Sequence, residues 1–312
     1  MPALLLALLM FALPVLARAD VVYVLNSGDA TVSILDSERR EEVRRFPMLR
    51  EPHHLVLSPD ERSLLIADSS GNEIIWVNPA TGEVQRRERI SNPYHLAFSP
   101  EGRFLVVASL RRDQVDIYDA RQTPPVLIGR LRLPDKPSHI AFRPDGGVAY
   151  VTLQGNGLVA AIDLENRALL WQAEVGPEPA GIMWHRGKLI VGIMGRDYMA
   201  VLNPETRQVE QTIRIGRGAH QIFATPDGRT LWATSRVESR IADIDPSTLA
   251  VRRVLEIPGG PDDIAFDADG RLWATLRWVG RVAVIDPATF RVETIRVGRS
   301  PHGIYVQPTR GE

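Results

Sequence analysis

Seven histidines occur in the chain, and two of them stand side by side in EPHHLVLSPD, residues 51–60. Neutral imidazole ligates zinc, copper, iron and nickel, and the same ring gains or loses a proton near neutral pH. Four more histidines sit in the same local setting as His53 and His54. They occur in Tyr94-His95, Ser138-His139, His220-Gln221 and His302-Gly303. Each pair follows a proline, or Ala219 in one case, and precedes a short apolar run. Asp262-Asp263 and Ala180-Gly181 fill the same place elsewhere, and only His185 lies outside the pattern. Three imidazoles within reach of metal–nitrogen bonds of about 2.0–2.1 Å would hold Zn, Cu, Fe or Ni. Asp262 or Asp263 would add a carboxylate. Beside such a metal acting as Lewis acid, a rim imidazole could serve as a general base.

These residues are brought into register by a repeat. The phrase PHHLVLSPDE returns as PYHLAFSPEG, PSHIAFRPDG, PAGIMWHRG, AHQIFATPDG, PDDIAFDADG and PHGIYVQP. Its copies begin at Pro52, Pro93, Pro137, Pro179, Ala219, Pro261 and Pro301. The spacing of about 40 residues is that of a propeller blade. Within each copy, short alternating runs rich in Ile, Val and Leu are separated by turn residues. Pro226-Asp227-Gly228 suits a type I turn followed by a left-handed glycine. Asn78-Pro79, Asn203-Pro204, Asp245-Pro246 and Asp286-Pro287 open a second turn, in which the Asx side chain bonds its own backbone. No segment keeps a helical period over three turns.

Four short antiparallel strands per copy predict an all-β, seven-bladed β-propeller. The chain starts at a unit that lacks its first strand and ends on PHGIYVQP, which is only a first strand. The N- and C-terminal strands are therefore expected to close one shared blade. An open solenoid would not explain the matching missing and extra strands.

In a propeller the first strand of each blade is innermost. The residues after each opening proline then converge on the mouth of the central channel. Strand alternation gives His53, His220 and His302 one orientation and His54, His95 and His139 another. The second set lies on consecutive blades and is the better placed for a metal. The loops between second and third strands reach the same rim. They carry Arg111, Arg196, Arg236, Arg277 and Trp278. Arginine there could grip a carboxylate with two parallel bonds, and Trp278 could stack on a ring or anchor a partner. The plainer alternative is that these are solvated loop residues paired with local acids. Trp232 and Trp273, in LWAT strands, read as core.

Residues 1–19 read as a signal peptide, with an apolar run from Leu4 to Leu16 and a small-x-small cleavage site at Ala17-Arg18-Ala19. The propeller would then be residues 20–312, exported to the periplasm, with no membrane span after cleavage at Ala19. The chain has no cysteine, so neither a disulfide nor a thiol contributes. Net charge is −1, which argues against a nucleic-acid binder that works by bulk charge. There is no nucleophile motif, glycine-rich phosphate loop or HExxH pair.

YVLNSGDATVSILD (23–36) and YVTLQGNGLVAAID (150–163) resemble the YVTN-type propeller repeat, and the resemblance covers essentially all of residues 20–312. That family implies an exported, usually seven-bladed propeller of the YncE-like kind, including members associated with quinoprotein-dependent catabolism. It also implies a packing role for histidines in this position, between blades and bonded to a backbone carbonyl. The expected function is binding of a small molecule or periplasmic protein partner at the His- and Arg-lined mouth, by a monomer serving a redox or catabolic system. Two alternatives stay open. GRLWATLRWVGRVAVIDPATF (270–290) resembles streptogramin-lyase and lactonase-type propellers, which implies a metal-dependent enzyme. A more distant resemblance to haem-d propellers implies tetrapyrrole binding or maturation, with Arg111, Arg196, Arg236 and Arg277 on the propionates. The sequence names no cofactor and assigns no catalytic residue.

Overall fold

The computed structural model describes residues 19–309, so residues 1–18 of the expected signal peptide lie outside the described residues. The described chain forms twenty-eight strands, β1 (Val21–Asn26) through β28 (Pro301–Gln307). A single 3₁₀ turn at Leu110–Arg112 is the one helical element among the described residues. None of their helices is long and apolar enough to cross a membrane.

The strands make seven antiparallel sheets of four. Six sheets are consecutive in sequence. The seventh has the order β28-β1-β2-β3, where β2 is Thr31–Asp36 and β3 is Glu41–Pro47. Val22 pairs with Val306 and Val24 with Ile304, so the two ends of the chain close one blade as the repeat predicts. The innermost strands are β4 (Pro52–Leu57), β8 (His95–Phe98), β12 (Pro137–Phe142), β16 (Pro179–His185), β20 (Ala219–Ala224), β24 (Pro261–Phe266) and β28. Each contacts the next around the ring, and β28 contacts both β24 and β4.

The period of two sorts each strand's residues between two neighbours. In β9 (Phe104–Ser109), Leu105 and Val107 pack on Leu65 and Ala67 of the preceding blade. Phe104, Val106 and Ala108 turn the other way and meet Ile140, Ala149 and Val151 of the following blade. Each such fully buried Val, Leu or Ile stabilises the fold by about 1.5–3 kcal/mol. No blade can bury both faces alone, so the ring forms as a unit. The outermost strands are mostly exposed and carry Arg and Glu, as in EEVRRFP of β3, which discourages edge-to-edge pairing.

The turns follow their residues. Gly228 takes φ +68° after Pro226-Asp227, and its N–H donates to Thr225 O at 2.8 Å. Asp245 Oδ1 accepts from Ser247 N and Thr248 N, and Asn78 Oδ1 accepts from Ala80 N and Thr81 N. Trp232 and Trp273 are buried in the core, as expected.

Candidate functional site

The start of every inner strand except β8 is irregular. On β12 the pairing jumps from Pro137↔Leu153 to Ile140↔Val151, so Ser138 and His139 together face Thr152. The same bulge occurs in β16, β20 and β24, and β4 carries one between Pro52 and His54. A bulge inserts one residue and breaks the strict alternation of side chains. The two orientations expected of the histidines are therefore not kept apart. All six rings meet at the axis in one layer. His53 lies 3.8 Å from His302 between ring centroids, and His54 lies 4.5 Å from His95 and 5.0 Å from His139. His139 reaches His220 at 5.6 Å, and His220 reaches His302 at 6.2 Å. Tyr94 packs on His53 at 4.0 Å.

Threonines lock three of the bulges to the next blade. Thr152 Oγ1 accepts from His139 N at 3.0 Å and donates to Ala180 O at 2.9 Å. Thr234 Oγ1 accepts from Gln221 N and donates to Asp262 O, and Thr275 Oγ1 accepts from Asp263 N and donates to His302 O. In the fifth sheet the matching position is Gly192, where a Cβ would lie 2.0 Å from His220 O.

The aspartates enter the same layer. Asp262 is fully buried and accepts from Arg236 Nε at 2.6 Å and from Arg277 Nη1 at 3.0 Å. His220 Nδ1 stands 2.9 Å from its Oδ1. Burial acts to raise the Asp262 pKa, but Arg236, His302 and His220 outweigh it and hold the carboxyl well below its ordinary value. Asp263 behaves oppositely. Burial and the charge of Asp262 push its pKa well above the ordinary range. The pKa values of two adjacent carboxyls are thus pushed apart by their surroundings.

All six imidazoles are held neutral, chiefly by burial. The pKa values of His95 and His220 are pushed down to about 4, and those of His53, His54, His139 and His302 lie well below 6.5. Burial pushes Tyr94 up to about 12, so it remains a phenol. Neutral imidazole is the ligating form.

Several of these groups lack a partner. His53 Nδ1, His54 Nε2, His95 Nδ1, His139 Nε2, His302 Nδ1 and Asp263 Oδ1 are buried without a hydrogen bond. Each such atom costs about 1–3 kcal/mol if it stays unsatisfied. Two triples bring ligand atoms within 4.8 Å of one another: His53, His54 and His302, and His220, Asp262 and His302. The triple favoured by strand alternation, His54, His95 and His139, is not among them. The bulges turn His53 and His302 into the same space and replace it.

The rim residues divide. Arg236 and Arg277 reach the layer through Asp262. Arg111 instead pairs with Glu51 at 3.0 Å and with Ser70, and Arg196 bonds the carbonyl of Gly195. Trp278 is 57% exposed beside a rim cavity of about 870 Å³ that Arg45, Arg277 and Arg299 also line. His185 lies apart and bonds Pro246 O. Sequence reasoning passed over Met194, whose sulfur lies 3.6 Å from Arg236 Nη1, and over the bulge threonines. The Thr at one place in three copies was the available signal for the latter.

No curated protein matches the chain in sequence. Solved structures match it closely in fold. The dihydro-haem d1 dehydrogenase NirN, in complex with DHE, has TM-score 0.69 at 19% identity, covering 91% of this chain and 74% of that one. A functionally unknown protein from Desulfotomaculum acetoxidans has TM-score 0.79 at 12% identity, covering 94% and 100%. Virginiamycin B lyase from Staphylococcus aureus has TM-score 0.68 at 15% identity, covering 82% and 91%. At these identities the likeness is one of fold. The family model described as YncE-like beta-propeller matches residues 2–309, so the closed seven-bladed ring and its repeat place the chain in the YncE-like β-propeller family.

Proposed function

We propose that this chain is an exported, periplasmic binding propeller that takes a small ligand into its axial histidine layer and serves a redox or catabolic system. The observation that carries the reading is the set of buried imidazole nitrogens without partners at the closed centre of the ring. A histidine that only packs between blades would bond a neighbouring carbonyl, as His185 does with Pro246 O. Most of the axial rings do not. Their unpaired nitrogens favour a bound species that supplies the missing interactions. Export is the expectation from residues 1–19, and a periplasmic partner would dock on the rim around Trp278.

A second reading, tetrapyrrole binding, is favoured by the fold likeness to a dihydro-haem d1 dehydrogenase. Ring centroids 3.8–6.2 Å apart leave no room for a macrocycle among the histidines. A tetrapyrrole would have to lie on the rim side, where Tyr94 and His95 are partly exposed. A lyase-type reaction has the carboxyl of Asp263 and a metal-binding donor set to draw on, but no residue here is assigned a catalytic role.

The test is an absorption spectrum and elemental analysis of the protein purified from a periplasm, beside the variant His54→Ala/His302→Ala. A stoichiometric metal or a visible band that the variant lacks is the expected result. A colourless, metal-free protein that binds nothing in either form would overturn the ligand reading and leave the rim as the place to look for a partner.

A further inference from the structure

We propose that the axial layer is a mononuclear transition-metal site whose protein ligands are His53, His54 and His302, with Asp263 supporting it from outside the ligand set. The inference rests on the reading that the histidine layer takes a ligand, and it names that ligand's class.

Distance comes first. The three ligand atoms lie within 4.8 Å of one another. A point central to such a triangle is reached at metal–nitrogen bond length after each imidazole moves inward by about 0.8 Å or less. Chemistry agrees with distance. His53 Nδ1, His54 Nε2 and His302 Nδ1 are all buried and unpartnered. Asp263 Oδ2 stands beside the triple, 3.9 Å from His54 Nδ1 and 3.8 Å from His302 Nδ1. A shift of roughly 1 Å would bring that carboxyl into hydrogen-bond reach of an imidazole, from where it could orient a ligating ring. His302 is steadied on its far side, where Nε2 lies 3.3 Å from Arg236 Nη2.

The other triple is not free to compete. Asp262 already binds two guanidinium groups and His220. A cation there would have to displace Arg236 and Arg277 or lie against their charge. That group works as a buttress that fixes His220 and His302.

The donor set narrows the metal. Three imidazoles and no thiolate suit Zn(II), Cu(II), Ni(II) or Fe(II), and they do not suit Ca(II) or Mg(II), which take oxygen ligands. Three protein ligands also leave an open coordination position, as catalytic rather than structural sites do.

The experiment uses the full exported chain, stripped by chelator and titrated with Co(II) for its visible bands and with Zn(II) by calorimetry. One ion per chain is expected, with zinc raising the melting temperature. His53→Ala and His302→Ala should each weaken zinc binding about 100-fold or more, and by more than His139→Ala does. His302→Gln, which keeps a buried polar side chain, serves if the alanine variant does not fold. An equal or larger loss in His139→Ala would overturn the ligand assignment. Wild-type protein that binds neither ion would overturn the metal inference. If that protein nonetheless carries a coloured ligand that His54→Ala/His302→Ala lacks, the binding reading survives alone. If it carries nothing, both fail.

Discussion

Among single residues, Asp262 has the largest energetic consequence. It is a fully buried anion shared by Arg236, Arg277 and His220. Neutralising it leaves two partly buried cations facing imidazoles. Asp262→Asn should therefore destabilise the protein by about 3–5 kcal/mol, measured by urea unfolding. A loss under about 1 kcal/mol would mean that the arginines simply swing into solvent. Arg111 offers the contrast. Its pairing with Glu51 is exposed, and Arg111→Ala should cost about 1 kcal/mol or less in the same assay. In the sequence these arginines look alike, because all follow the second strand of a blade. Loop backbone decides which of them bends inward, and Asp262, on the next blade over from Arg236, decides where it stops. A long-range electrostatic partner of that kind leaves no local pattern to read.

At the level of the element, the bulge is what the alternation rule could not see. Period two correctly sorts Leu105 and Val107 from Val106 and Ala108, because β9 is regular. It fails one strand-start away, where Ser138 and His139 share one partner. The convergence of both histidine positions follows from that extra residue. Threonine holds it in place and ties it to the next blade. Thr275→Val keeps the shape and removes the hydroxyl. It should cost about 1–3 kcal/mol through the orphaned Asp263 N–H and His302 carbonyl, read as a shift in urea midpoint. A neutral result would show that water replaces the hydroxyl. Gly192→Ala probes the same seam sterically. Its Cβ would meet His220 O at 2.0 Å, so the variant should lose about 1–3 kcal/mol, and more if the blades cannot separate.

For the molecule as a whole, the ring was legible because closure leaves a mark in the chain: a missing strand at one end and a spare at the other. The chemistry at its centre was legible only as a list of residues, since seven loops fix the distances between them together. The same closure gathers six neutral imidazoles in one place, five of them buried and His95 partly so, and this makes stability depend on pH in a defined direction. In the unfolded chain each histidine takes up a proton as pH falls through about 6.5. In the fold burial holds the pKa values of His95 and His220 down to about 4, and it holds those of the other four well below 6.5. The unfolded state therefore binds more protons below pH 6.5, and stability falls with falling pH, by up to about 1.4 kcal/mol per pH unit for each such histidine. Asp263 has the opposite sign. Its raised pKa contributes stability in acid that is lost as pH rises above its ordinary value, but it is one group against six. Asp262, Arg236 and Arg277 face the layer with charges that do not change across this window, because Asp262 is held low and arginine does not titrate. Urea midpoints measured at pH 7.5, 6.5, 5.5 and 4.5 should be level between the first two and drop steeply after that. Replacing His139 by Phe should flatten the slope by one proton's worth. A midpoint independent of pH from 7.5 to 4.5 would show that the layer is wet and protonates in place, and the buried, neutral imidazoles on which a metal site depends would be gone with it.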